Sequence, residues 1–140
     1  MKATERAALE AAYRRTHYEV QTPAGPMRLR IDVHCPPLER VHAELGVNES
    51  VFLTAWNPQS VPQCAPRNAV AQARLDQRLA ALGLTIWPGW GRDPEAQWPA
   101  EQSLFVAGLD RETAVGLARE FEQHAFVHAA TDAIPRLVWV

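Results

Sequence analysis

The 140-residue chain is short of lysine, of cysteine and of long apolar runs, and each shortage excludes something. Cys35 and Cys64 stand alone, without the dense pairing of secreted disulfide scaffolds and without a Cys-x-x-Cys for metal or redox work. Both are expected to be reduced thiols. Apolar stretches such as Leu104-Phe105-Val106-Ala107 fall far short of the ~20 residues a membrane helix requires. The N-terminal Met1-Lys2-Ala3-Thr4-Glu5-Arg6 is charged where an export signal would be apolar, so a cytoplasmic protein with no membrane association is expected. A Gly-x-Ser-x-Gly elbow, a phosphate-binding Gly-x-x-x-x-Gly-Lys loop and a dinucleotide glycine fingerprint are all absent, and Gly89-Trp90-Gly91 alone does not make a phosphate cradle. No cofactor is expected.

What is present suits one ordinary domain spanning residues 1–140. Apolar residues make up 47% and charged residues 21%, enough for a chain of this size to bury roughly 70% of its unfolded surface. The net charge of −2 gives no general attraction to nucleic acid or to an acidic membrane. Because 13 of the 14 basic residues are arginine, planar bidentate contacts are favoured over point charges.

Periodicity predicts a mixed α+β domain. A helix is expected over residues 3–15, with Ala8, Leu9, Ala12 and Tyr13 on its apolar stripe. The runs 18–21 and 27–33, on either side of Thr22-Pro23-Ala24-Gly25-Pro26, read as a hairpin in which Met27, Leu29, Ile31 and Val33 alternate with polar residues. Pro36-Pro37 opens a helix carrying Leu38, Val41 and Leu45, and Gly46 suits its end. Next come a buried strand over 50–55, a proline-stiffened loop, a helix over 67–82 with Leu75, Leu79 and Leu82 inward, and a strand over 84–87. That series is a βαβ unit, expected to be right-handed with parallel strands. A loop over 88–101, a strand over 102–107, a helix after Asp110 and a strand over 125–128 make a second. Residues 136–140 read as a final strand, an edge able to pair across a homodimer. The expected fold is thus a mixed sheet with an N-terminal helix and hairpin followed by two βαβ units.

Parallel strands end at one edge of a sheet, where open α/β folds usually bind ligands. The loops 56–66 and 88–101 should therefore meet, bringing together Trp56, Asn57, Ser60, Arg67, Asn68, Trp90, Arg92, Asp93, Glu101, Ser103 and Gln123. The start of the 67–82 helix would offer free N–H groups to an anion. Arg67, Arg74 and Arg78 fall within about 40° of one another on that helix, forming either a solvated flank or a cationic ridge. Asn57 and Ser60 suit turn chemistry as well as ligand contact. Trp56, Trp87, Trp90 and Trp98 suit a core or loop anchor as well as an aromatic platform.

Catalytic constellations are sparse. His124 and His128 have the spacing of a helical zinc pair, but on a strand they stand about 13 Å apart, and His34, Cys35 and His42 lack further ligands, so no metal is expected. One acid/base arrangement remains: Glu101 with His124 or Asp93, and Asn57, Arg67 or Arg92 to hold developing negative charge.

The strings Phe52-Leu53-Thr54-Ala55-Trp56-Asn57-Pro58-Gln59-Ser60, Trp98-Pro99-Ala100-Glu101-Gln102-Ser103-Leu104-Phe105-Val106 and Phe121-Glu122-Gln123-His124-Ala125, with the helix holding Asn68, resemble a bacterial family known as domain of unknown function 3293. The likeness covers residues 50–140, and Thr-Ala-Trp-Asn-Pro is its most specific part. It implies a small stand-alone bacterial protein and brings no activity, cofactor or catalytic residue. Family members often carry arginine where this chain has Ala71. The expected function is binding or regulation, with a small polar or anionic ligand or a partner segment at the Asn57/Glu101 edge. The alternatives are a hydrolase or nuclease-like enzyme using Glu101, and nucleic-acid binding through the arginine ridge.

Overall fold

The computed structural model describes residues 1–140. In chain order the elements are α1 (Ala3–Arg15), β1 (His17–Thr22), β2 (Gly25–Leu29), α2 (Pro36–Leu45), β3 (Ser50–Leu53), α3 (Ala65–Ala80), β4 (Thr85–Arg92), β5 (Glu101–Ala107), α4 (Arg111–Glu120), β6 (Ala125–Ala129) and β7 (Arg136–Trp139). All seven strands join one curved half-barrel sheet in the order β2-β1-β4-β5-β3-β6-β7. The protein is a mixed α+β single domain.

The expected parallel pairing is corrected: every hydrogen-bonded pair is antiparallel. Each βαβ unit is nevertheless there in split form. β3 and β4 run the same way but β5 lies between them, and β5 and β6 run the same way with β3 between them. The physical reason lies in the reversal after β4, which lets β5 pair back on β4 along seven positions and fill the slot a direct βαβ crossover would close.

Strand alternation supplies two cores. On one face Tyr18, Val20, Met27, Leu29, Phe52, Phe105 and Val127 pack beneath α1 and α2, with Leu38 and Val41 of α2 buried among them. On the other, Val51, Leu53, Leu104, Val106 and Phe126 pack against Leu75 and Leu79 of α3 and Ala114, Leu117 and Ala118 of α4. Each fully buried Leu or Phe contributes about 1.5–3 kcal/mol. α1 has no fully buried residue. Side-chain contacts hold it instead: Arg6 lies 4.4 Å from the Trp139 ring centroid, Tyr13 meets the same ring edge-on, and Arg14 pairs with Asp32.

Val33, Leu45 and Leu82 are exposed rather than inward. β2 stops at Leu29 and the backbone turns left-handed at Asp32, which removes Val33 from the alternation. Leu45 closes α2, and Leu82 lies beyond the end of α3. The expected loop at residue 88 is instead the second half of β4. Its glycine is not a turn signal: a Cβ at Gly89 would stand 2.6 Å from the Glu19 carbonyl oxygen and 2.7 Å from the Phe52 ring, so the bare backbone makes room for that ring.

At the sheet end remote from Asn57, His42 is buried with Nε2 2.8 Å from the Ser50 hydroxyl, while Nδ1 has no partner. Burial lowers its pKa, nearby His128 lowers it further, and Glu49 opposes both. A depressed histidine pKa means that the unfolded chain takes up the proton first. Stability from the neutral ring is therefore whole above pH ~6.5 and is lost as pH falls from there through the folded pKa. Melting curves from pH 7.5 to 5 should show a decline that is smaller in His42→Gln; equal declines would disprove the assignment.

Candidate functional site

The site begins with a strained turn. Asn57, Gln59 and Ser60 adopt φ of 47°, 59° and 58°, the left-handed region that costs a non-glycine residue about 1–3 kcal/mol. Hydrogen bonds hold it there. The Gln59 amide donates to the Glu122 carbonyl at 2.7 Å, and Ser60 donates back to the Asn57 carbonyl at 2.9 Å. Asn68, buried in the first turns of α3, accepts from the Asn57 amide at 2.8 Å and donates to the Asn57 side-chain oxygen at 2.8 Å. Gln63 completes the network by donating through Nε2 to Asn68 Oδ1 at 2.7 Å.

That network leaves the Asn57 Nδ2 amide to donate to Glu101 Oε1 at 3.0 Å. Glu101 is the first residue of β5, on the face shared with Ser103 and Phe105. Burial raises its carboxyl pKa, and the Asn57 hydrogen bond offsets part of the rise. From the other side of the turn, Gln123 donates through Nε2 to the Trp56 carbonyl at 3.2 Å.

Glu101 lies in a cavity of about 300 Å³ between the sheet face and α1, at the lower end of small-molecule sites. The aromatic side chains of Tyr13, Tyr18, Phe52, Trp56, Trp98 and Phe126 share its walls with aliphatic ones such as Leu9, Leu53 and Leu137. Asn57, Ser60, Ser103 and Thr16 add polar atoms. Burial raises the Tyr13 pKa, Ser60 beside its hydroxyl lowers it, and the charge of Glu101 raises it again, so the phenol is neutral. Tyr18 donates its hydroxyl to the Tyr13 carbonyl at 2.8 Å, fixing the last turn of α1 over the cavity.

Of the residues placed together from sequence, Trp56, Asn57, Ser60, Glu101, Ser103 and Gln123 line this cavity, and Asn68 supports it from behind. Others lie elsewhere. Trp90 pairs across from Gln102, one position off the strand positions that face the cavity, and Arg92 stands 5.9 Å from the Trp90 ring and 3.5 Å from Glu19. Strand alternation carried both away, because β4 continues where a loop was expected. Asp93 is buried, and the cost of that burial is outweighed by amides of Glu95 and Gln97 and by Arg15, leaving its pKa low. That is a turn role. His124 lines a separate shallow hollow with Gln59, Arg119 and Glu122. Arg67 is exposed and does not line the cavity. Along the ridge Arg78 pairs with Glu120, and Arg74 sits 5.8 Å from the Phe121 ring. Trp87 stacks on Phe105 in the core.

Tyr13, Thr16 and Tyr18 were not foreseen as walls, whereas Trp98, weighed with Trp56 for an aromatic platform, does line the cavity. Tyr13 stood on the apolar stripe of α1, the one available signal, but helical spacing does not say which part of a sheet a helix covers.

The fold and site together define an α+β domain with a half-barrel sheet whose curved face and first helix enclose an aromatic cavity with one carboxylate. Residues 53–126 match the family described as protein of unknown function (DUF3293), and the chain belongs to that family. The matched stretch includes Asn57, Asn68, Glu101, Ser103 and Gln123, whereas the α1 and β1 walls precede it. No curated protein and no solved structure matches the chain. No helix is long and apolar enough to cross a membrane.

Proposed function

We propose that the protein is a binding module whose cavity takes a small ligand with an apolar body and a polar group, the polar group seated at Glu101 and Asn57. The observation that carries this reading is a carboxyl group set in an aromatic cavity, with one oxygen bound to Asn57 and no protein partner for the other. A turn held in three left-handed residues to aim that amide supports it, since such strain collects at ligand clamps. An NMR fragment screen tests it. Hits should move the amide and indole signals of Trp56, Asn57, Trp98 and Glu101, and should vanish in Ala12→Phe, which fills the cavity from α1. Hits confined to other surfaces, or none, would refute it.

A second reading is supported by the same carboxyl: burial raises its pKa, as suits a general acid or base. Its helpers would be the Tyr13 and Ser60 hydroxyls rather than His124 or Asp93. Turnover of any ligand found in the screen, abolished in Glu101→Gln, would favour an enzyme; unchanged ligand after prolonged incubation would exclude it for that ligand. Nucleic-acid binding gains little support, because Arg78 is already paired with Glu120.

A further inference from the structure

We infer that the ligand carries a primary or secondary ammonium group that sits against Glu101, a deduction that rests on the binding reading above. Among the side chains lining the cavity Glu101 is the single formal charge; lysine, arginine and histidine are absent from the walls. An anion would meet a carboxylate and aromatic faces, and the Asn57 amide that could receive it already donates one of its two N–H groups to Glu101.

Two other shielded carboxylates of this protein have cationic partners. Glu19 is paired with Arg28 and Arg92, and Asp93 with Arg15. Glu101 has only the neutral Asn57 amide. A desolvated charge with one neutral hydrogen bond is costly, and an arriving cation removes that cost. A neutral ligand leaves it in place.

The walls favour the same chemistry. Aromatic faces attract cations within about 6 Å, and the protein already uses this next door, where the Arg15 guanidinium stands 5.0 Å from the Trp98 ring. Arg15 does not repel a second cation strongly, because Asp93 lies 3.5 Å from it and Gln97 accepts from it at 3.1 Å. Glu101 Oε2 and the hydroxyls of Ser60 and Ser103 are acceptors for N–H groups, which a quaternary ammonium would not use. The cavity volume of about 300 Å³ suits one ring or a short chain behind the ammonium group.

Three probes of one shape test this: 2-phenylethylammonium, 2-phenylethanol and phenylacetate, titrated by NMR into the full chain. The ammonium probe should bind at least tenfold more tightly than the alcohol, and the acid most weakly. Glu101→Gln keeps an acceptor for Asn57 and should bring the ammonium probe to the level of the alcohol. If that variant fails to fold, Trp98→Leu serves, and should weaken the ammonium probe more than the alcohol. Alcohol or acid binding as tightly as the ammonium probe would overturn the charge inference and leave the binding module standing. So would silence from all three probes beside cavity hits in the fragment screen. Silence in both experiments would defeat both readings.

Discussion

Gly89→Ala will fold less stably by about 3 kcal/mol, a fall of roughly 10 °C in melting temperature. The added Cβ would lie 2.6 Å from the Glu19 carbonyl oxygen of β1 and 2.7 Å from the Phe52 ring. The carbonyl belongs to the sheet ladder and cannot yield without loosening the β1–β4 pairing, in which Val20 stands opposite Gly89. Phe52 must therefore move, and it lines the cavity. The same variant should lose fragment binding even at temperatures where it is folded. Gly116→Ala is the control: a Cβ on that exposed position of α4 meets nothing within 4 Å, and the gain in helix propensity should stabilise by up to about 1 kcal/mol. Calorimetry of both variants separates steric conflict from a general glycine effect. A Gly89→Ala protein as stable as wild type would show that β4 and β1 are not packed as described.

Asn68→Ala should cost about 4 kcal/mol. Asn68 is buried and takes part in four hydrogen bonds to Asn57 and Gln63, and its removal leaves buried polar groups facing a methyl, at about 1–3 kcal/mol each. The left-handed turn loses its restraint, and Glu101 loses the aimed amide. Asn68→Asp distinguishes this network from simple packing. The ionised carboxylate would face the Asn57 side-chain oxygen without a donor, whereas the protonated form restores one. Asn68→Asp should thus be destabilised at pH 7 and gain stability relative to wild type as pH falls towards 5, the direction required when a folded-state carboxyl pKa is raised. Urea titrations at the two pH values measure this. A constant deficit would mean that Asn68 serves by its volume alone.

Much of the fold was legible because burial on a strand has period two and on a helix period 3.6. Met27 and Leu29 announced one strand, and Leu75 and Leu79 one helix. Strand direction was legible too, since β3 and β4 do run the same way. Strand order was not: the chain between β3 and β4 is long enough to pass over one strand, and nothing local says whether a later strand takes the gap. Gly89 misled because glycine marks both turns and close approaches. The meeting of Trp56, Asn57, Glu101 and Gln123 followed from strand ends alone, since each adjoins an end of β3, β5 or β6 at the same edge. Arg92 and Trp90 were misplaced because a loop allows any direction and a strand only two.

The insertion of β3 between β5 and β6 also bears on the order of events during synthesis. β1 and β2 can pair as soon as they leave the ribosome, but β3, buried at all four of its residues, has no neighbour until β5 begins at Glu101 and no second one until β6 begins at Ala125. At translation speeds of 5–20 residues per second, an apolar strand waits for seconds with both edges bare. During that interval the bare apolar edges are open to wrong pairing, and a slowed codon stretch between β3 and β5 would lengthen it.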